Sequence, residues 1–275
     1  MLIAAAVCPH PPLLVPEMAG GAAPELDGLR AACDEAVGRL RLPVVTTAAP
    51  EPVPADAPDL LVVVGGHEET RRFGHDAYPD GYASLRPYGL DWTLASLTWG
   101  ETEELPLSLT MGYWLLHRAL GGSGRILVVP NVWLQAVAFD APPAACAALG
   151  HELAAAGDRV ALLVMGDGSA CRTEKAPGYL DERAQPYDAE VVRALGHADA
   201  AALAALDPEL SSELLVAGRA AWQVLAGAAG ENGRANGVSG DVLADEAPYG
   251  VGYVVASWSR SRRAIRPGRS AGSPG

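Results

Sequence analysis

Short apolar runs alternate with segments of helical periodicity along this chain. Residues 2–7 and 60–64 contain no polar side chain, and such runs are typical of strands that are buried on both faces of a sheet. Residues 24–42 instead place apolar side chains every three or four positions, which predicts an amphipathic helix. The alternation continues with predicted helices at residues 107–120, 142–156 and 187–229 and predicted strands at residues 44–47, 125–130, 159–165 and 250–258.

This alternation predicts an α/β fold. Because strand-helix-strand connections place helices on both faces of a sheet, we expect one three-layer α/β/α domain with a central mixed or mainly parallel sheet. The domain is predicted to span residues 1–258. Residues 259–275 are rich in Ser, Gly, Pro and Arg and have little to bury, so they are predicted to be a disordered tail.

Polar side chains follow four predicted strands, at the point where each strand ends. They are His10, His67, Asn131 and Asp167. Ligands of open α/β sheets bind beyond the carboxyl ends of the strands, so we expect these side chains to converge on one crevice. Two imidazoles and one carboxylate with open positions form the facial arrangement of non-haem Fe(II) oxygenases, and a similar set can hold zinc. For each of the two histidines, the alternative is a side chain that only satisfies local backbone groups.

Composition narrows the class of protein. The 275 residues are 49% hydrophobic and 19% charged, and the net charge of −13 argues against a nucleic-acid-binding surface. The four cysteines form no C-x-x-C pair, which favours free thiols in a reducing compartment. No apolar stretch reaches the ~20 residues of a membrane span. We therefore expect a cytoplasmic protein that binds neither nucleic acid nor membrane.

Residues 71–105 differ from the segments around them. They spread tyrosines and tryptophans, together with His75, through turn-rich sequence without sustained periodicity. A long aromatic segment that follows a candidate ligand is typical of a pocket wall or lid. An excursion that only packs on the domain is the equal alternative.

Six motifs follow one another along residues 1–258. They are Cys8-Pro9-His10-Pro11-Pro12-Leu13-Leu14-Val15-Pro16, Gly65-Gly66-His67, Gly166-Asp167-Gly168-Ser169, Ala176-Pro177-Gly178-Tyr179, Tyr187-Asp188 and Pro248-Tyr249-Gly250-Val251-Gly252-Tyr253. In this order they resemble the class III extradiol ring-cleavage dioxygenases of the LigB superfamily, which also includes the Memo proteins. The resemblance implies a single α/β domain and a metal, usually iron, that is held by two histidines and a third ligand.

Only part of the family's site carries over to this chain. His10 and His67 match the first two metal ligands. Ring-cleaving members have a catalytic histidine where this chain has Ala170, and an alanine cannot transfer a proton. The third ligand of relatives corresponds to Ala217 or Gly218, and we predict that Glu213, one helical turn earlier, substitutes for it. An ordinary exposed glutamate is the alternative.

Three functions remain open at this point. The first is a metal-dependent dioxygenase acting on a small aromatic substrate, in which Asp167 or His75 replaces the missing base. The second is a Memo-like metal-binding protein, with a redox or partner-binding role and no dioxygenase activity. The third is a metal-assisted hydrolase. Fe(II) is the expected metal, with zinc or copper as alternatives. The expected partner is either a second copy of this chain, in a homo-oligomer, or the small companion subunit that the resemblance implies.

Overall fold

The computed structural model describes residues 1–46, 56–74, 81–94, 103–119, 125–127, 131–230 and 237–261. Within these residues the strands are β1 (Leu2–Cys8), β2 (Val44–Thr46), β3 (Leu60–His67), β4 (Arg71–Phe73), β5 (Gly81–Ser84), β6 (Thr93–Leu94), β7 (Glu103–Glu104), β8 (Arg125–Leu127), β9 (Asn131–Ala138), β10 (Val160–Met165), β11 (Val238–Glu246) and β12 (Tyr253–Arg260). The α-helices are α1 (Pro16–Ala19), α2 (Asp27–Gly38), α3 (Leu107–Ala119), α4 (Pro143–Ala155), α5 (Ala184–Gly196), α6 (Ala200–Ala204), α7 (Pro208–Glu213) and α8 (Arg219–Ala229).

The main sheet has the strand order β11-β12-β1-β10-β3-β9-β4 in the described part of the chain. Its centre is parallel: β10 pairs with β1 and β3, and β3 pairs with β9. Both flanks are antiparallel, with β12 and β11 on one side and β4 on the other. The predicted mixed, mainly parallel sheet is therefore confirmed.

Each central strand alternates its side chains between two cores. In β1, Ala5 and Val7 belong to the core that α4, α5, α6 and α8 cover. Ala6 and Cys8 belong to the opposite core, under α2 and α3. This alternation explains why the run contains no polar side chain, since both faces of the sheet are covered. The predicted three-layer α/β/α fold is confirmed.

The sequence predicted a strand over residues 125–130 that ends before Asn131 at the carboxyl edge of the sheet. This placement of Asn131 is wrong. Residues Arg125–Leu127 form β8, which pairs antiparallel with β2 in a separate two-stranded sheet. Asn131 begins the next strand, β9, and is paired with Leu60 at the start of β3. Asn131 therefore lies at the amino edge of the main sheet, opposite to the edge where its contribution was expected.

The two carboxyl-terminal strands include residues that the sequence did not predict to form strands. Strand β11, which the apolar pattern did not indicate, pairs with β12 along its whole length. Strand β12 continues to Arg260, and Ser259 is paired with Ala4 of β1. The predicted boundary at residue 258 is thus two residues too early, because the main-chain pairing does not depend on apolar side chains. Residues 262–275 of the predicted tail lie outside the described residues.

Candidate active site at the carboxyl edge of the sheet

Four polar side chains follow or begin adjacent strands on one face of the main sheet. In β1, β10 and β3, the side chains of every second residue enter the core under α2 and α3. The same alternation places His67, the last residue of β3, on this face. Continued beyond the ends of β1 and β10, it brings His10 and Asp167 to the same face. Tyr253, at the start of β12, is buried in the same core. We call Tyr253, His10, Asp167 and His67, in this lateral order, the polar row.

His10 and Asp167 are in direct contact within the polar row. The backbone N–H of His10 donates a 2.8 Å hydrogen bond to Oδ1 of Asp167. The same carboxylate oxygen lies 3.5 Å from Nδ1 of the His10 ring. The chain reaches this geometry because the N–H of Gly166 donates to the carbonyl of Cys8, which holds the ends of β1 and β10 together. The predicted convergence of His10 and Asp167 is confirmed.

The Asp167 carboxyl is largely shielded from solvent, with 15% of its side chain exposed. Burial raises its pKa, while the charge of His10 and the hydrogen bond from the His10 N–H oppose that rise. A carboxyl group with a raised pKa retains its proton closer to neutral pH than an ordinary aspartate does, which suits proton transfer.

His67 occupies the more open end of the polar row. It is the last residue of β3 and is half-buried. Its ring meets the ring of Phe73 edge-on, with 6.2 Å between the ring centroids. The backbones of β1 and β3 are two strands apart, which corresponds to about 10 Å. Imidazoles turned toward each other can span that separation, so a metal ion between His10 and His67 is sterically reasonable.

The aromatic segment lies on the same face of the sheet as His67. Phe73, Ala83, Leu85 and Leu105 all belong to the core under α2 and α3. The segment is less irregular than expected, because it contains β4 and a small sheet of β6, β5 and β7. Contact between this segment and the site is confirmed at Phe73, whose ring meets the ring of His67. His75 lies outside the described residues, so its role as a replacement base stays a prediction.

Glu213 does not lie where the helical pattern placed it. Helix α7 ends at Glu213, and Leu215 then takes a left-handed conformation with φ of 55°. Ala217 follows this reversal and is therefore not one helical turn further along the same face. The Glu213 carboxylate is 57% exposed and accepts a 2.6 Å hydrogen bond from the guanidinium of Arg183. The structure gives Glu213 a surface ion pair.

Ala170 lies in a fully bonded stretch of backbone. Its N–H donates to the carbonyl of Leu214, and its carbonyl accepts from the N–H of Gly178. The residue is only 8% exposed. The neighbouring thiol of Cys171 has a raised pKa because of burial and the nearby carboxylates of Asp181 and Asp188. Neither position offers a group that exchanges protons readily at neutral pH.

A buried carboxylate holds the loop that carries Asp167. Asp188 of α5 accepts hydrogen bonds from the N–H and the hydroxyl of Ser169, at 2.8 and 2.7 Å, and from the guanidinium of Arg172, at 3.0 Å. A Cβ atom on Gly252 would lie 2.5 Å from Oδ2 of Asp188. Glycine at this position is therefore required for the close approach, and the loop is fixed from two sides.

The residues of the site fit a metal ion in part. Nδ1 of His10 is buried and has no hydrogen-bond partner within the described residues, and a buried ring nitrogen without a partner is chemically suited to ligation. However, no group of three or more His, Cys, Asp or Glu side chains in the described ranges is arranged to hold a metal. Glu213 is thus not brought together with His10 and His67.

Sequence patterns predicted that His10, His67 and Asp167 lie at this edge, but they did not single out Asp188 or Tyr253. Both lie in stretches that carry the family resemblance. The signal that could have identified Tyr253 is its place at the start of an apolar strand, beside the strand that ends before His10.

A cavity of about 960 Å³ opens at the other edge of the sheet, beside Met1, Arg39, Arg159 and Ser239. No histidine is among the described residues that line it. Its arginines are held by the protein itself: Arg39 bonds Asp241 at 2.7 Å, and Arg159 bonds the carbonyl of Ala57. Size alone does not make this cavity the chemical site, because the ionisable side chains with ligand character lie at the carboxyl edge.

No family model matches the sequence, and no curated protein matches it. Among solved structures, the chain is similar to that of an uncharacterized protein, JW3007, from Escherichia coli K12, with a TM-score of 0.49 and 12% identity over 94% of this chain and 99% of that chain. In the described ranges, none of the helices has the length and apolar character needed to cross a membrane.

Proposed function

We propose that this chain binds one divalent metal ion through His10 and His67 and that it is a slow, extradiol-type dioxygenase acting on small catechols. The observation that supports the proposal is the polar row: two imidazoles on either side of a largely shielded carboxyl group, at the ends of adjacent parallel strands. Ligand sites of α/β sheets are found at this edge. Within the described residues, no third His, Cys, Asp or Glu side chain is arranged with His10 and His67 to hold a metal, so we propose two protein ligands.

Iron, when bound, would supply the activation of dioxygen and catechol that such cleavage needs, and Fe(II) remains the expected metal ahead of zinc or copper. Side chains of the protein would provide the proton transfer and the packing of the substrate ring. Asp167 is the candidate proton-transfer group, since burial raises its pKa. Phe73, beside His67, provides an apolar surface against which an aromatic ring can pack.

Slow turnover follows from Ala170. General acid–base assistance contributes typically about a hundredfold to ten-thousandfold in rate. Position 170 carries no such group, and Asp167 is already engaged by the N–H of His10. We therefore expect native activity well below that of an enzyme with a dedicated histidine.

The test is oxygen uptake by anaerobically purified, Fe(II)-loaded protein with a panel of catechols. The proposal expects slow uptake that requires both the metal and a catechol, and that is lost in His10→Ala/His67→Ala. If the protein binds iron but no catechol stimulates oxygen uptake, the dioxygenase part of the proposal is wrong.

A Memo-like, metal-binding protein without dioxygenase activity is the second candidate. Two observations favour it: Ala170 cannot transfer protons, and Glu213 pairs with Arg183 on the surface. Bound metal with no oxygen chemistry would select this candidate. For either function, a cytoplasmic location and a homo-oligomer or companion subunit stay predictions.

A further inference from the structure

Tyr253 is next to His10 in the lateral order of the polar row, because β12 is the neighbour of β1 in the main sheet. Strand β12 runs antiparallel to β1, with Ala256 opposite Val7 and Ser257 opposite Ala6. Continuing this register by three residues beyond Val7 brings Tyr253 opposite His10. Tyr253 and Val255 are buried in the same core as Cys8, so the phenol lies on the face to which the His10 side chain projects.

The phenol is within electrostatic range of Asp167. Burial raises the pKa of Tyr253 strongly, and the negative charge of Asp167 raises it further, ahead of a smaller contribution from Tyr249. A phenol is protonated at neutral pH in any case, and its hydroxyl can donate a hydrogen bond. Tyr253 is only 4% exposed, so this donor is fixed by packing at the enclosed end of the polar row.

A donor that packing already holds in place stabilises negative charge on a bound oxygen without reorganisation cost. The N–H of His10 and the carboxyl of Asp167 are not free to stabilise such an oxygen. The N–H of His10 is bonded to Asp167, and the carboxyl of Asp167 repels an anionic oxygen when it is ionised. Among these described side chains, Tyr253 is therefore suited to receive a phenolate or catecholate oxygen.

We propose that the Tyr253 hydroxyl contacts the ligand of this site by donating a hydrogen bond to a phenolic oxygen of a small catechol bound in front of His10 and Asp167. The inference rests on the proposed function and names its substrate-recognition group. In this inference, the Tyr253 hydroxyl makes a polar contact with the substrate, which the alanine side chain at position 170 cannot make. The ligand class is an ortho-dihydroxylated ring that lies between the open His67 end and the enclosed Tyr253 end of the row.

The test uses 4-nitrocatechol as a chromophoric probe with the zinc-loaded full-length protein, so that no turnover occurs. Metal stoichiometry is measured first in the wild type, Tyr253→Phe and Tyr249→Phe, and circular dichroism checks the fold. Tyr249 is the matched control, since its hydroxyl lies 3.3 Å from Glu25 and is assigned no contact with the ligand.

We expect Tyr253→Phe to bind 4-nitrocatechol roughly tenfold more weakly, the loss typical of one hydrogen bond to a charged oxygen, with unchanged metal content. Tyr249→Phe should stay within about twofold of the wild type, well under one decade of affinity. Equal affinity of Tyr253→Phe and the wild type, with metal in place, would overturn the inference and leave the proposed function standing. A metal-loaded wild type that does not bind the probe would overturn the inference and would also contradict the dioxygenase part of the proposed function. A wild type that binds no metal would instead refute the proposed function, and the inference with it.

Discussion

Replacing Asp188 by asparagine tests whether one buried carboxylate holds the loop that carries Asp167. Asp188 is 5% exposed and accepts three hydrogen bonds, two from Ser169 and one from Arg172. The backbone N–H and the guanidinium are donors only, so an amide nitrogen turned toward either of them leaves an unpaired donor. The amide also removes the charge that Arg172 faces.

The expected loss follows from these contacts. A hydrogen bond to a charged group contributes about 1.5–3 kcal/mol, and breaking a buried ion pair costs about 3–5 kcal/mol. The side chain of Arg172 is 23% exposed, and water can compensate it in part. We therefore expect Asp188→Asn to lower the free energy of unfolding by about 2–3 kcal/mol, toward the lower end of these ranges.

Urea denaturation followed by circular dichroism measures this loss. Glu190→Gln is the matched control, because Glu190 lies on the same helix, α5, and forms an exposed pair with Arg193. The control should change stability by less than about 0.5 kcal/mol. An Asp188→Asn variant that also changes stability by less than about 0.5 kcal/mol would show that the loop does not depend on this carboxylate.

Two further predictions concern single positions near the site and at the surface. In the iron-loaded protein, Ala170→His should increase catechol-dependent oxygen uptake at least about tenfold, because it restores a proton-transfer group; no gain with iron confirmed in place would favour the Memo-like function. Asp181 has its pKa lowered to about 2, first by the hydrogen bond from the Arg183 side chain and then by the Arg183 N–H. The ionised Asp181 therefore stabilises the fold above its ordinary pKa of 3.8, and this stabilisation is lost as the pH falls through about 2. Asp181→Asn should flatten the dependence of the urea midpoint on pH between these two values. An unchanged slope in the variant would contradict this prediction.

The sequence predicted the layers of the fold and the polar edge because both depend on strong local signals. Uninterrupted apolar runs identify strands that are covered on both faces, and His10, His67 and Asp167 follow such runs directly. In a parallel sheet, the ends of those strands must share one edge. The approximate position of these three residues therefore followed from their place along the chain.

The errors have a different physical origin. An apolar run does not reveal its pairing partner, so residues 125–130 could not be distinguished from a central strand, and Asn131 was placed at the wrong edge. The Leu214-Leu215-Val216 stretch reads as helix, yet Leu215 adopts positive φ, which residue type does not indicate. That reversal moved Glu213 away from its expected face. Strand β11 was missed because its exposed Ser239, Asp241 and Asp245 obscure the strand pattern.

The most direct test of the account is the metal stoichiometry of the wild type and of His10→Ala/His67→Ala. Both proteins are dialysed anaerobically against Fe(II), and separately against Zn(II), and their metal content is measured by mass spectrometry after their fold is verified by circular dichroism. We predict one metal ion per chain in the wild type and no stoichiometric metal in the folded double variant. A folded double variant that retains a full equivalent of metal would contradict the assignment of His10 and His67 as ligands.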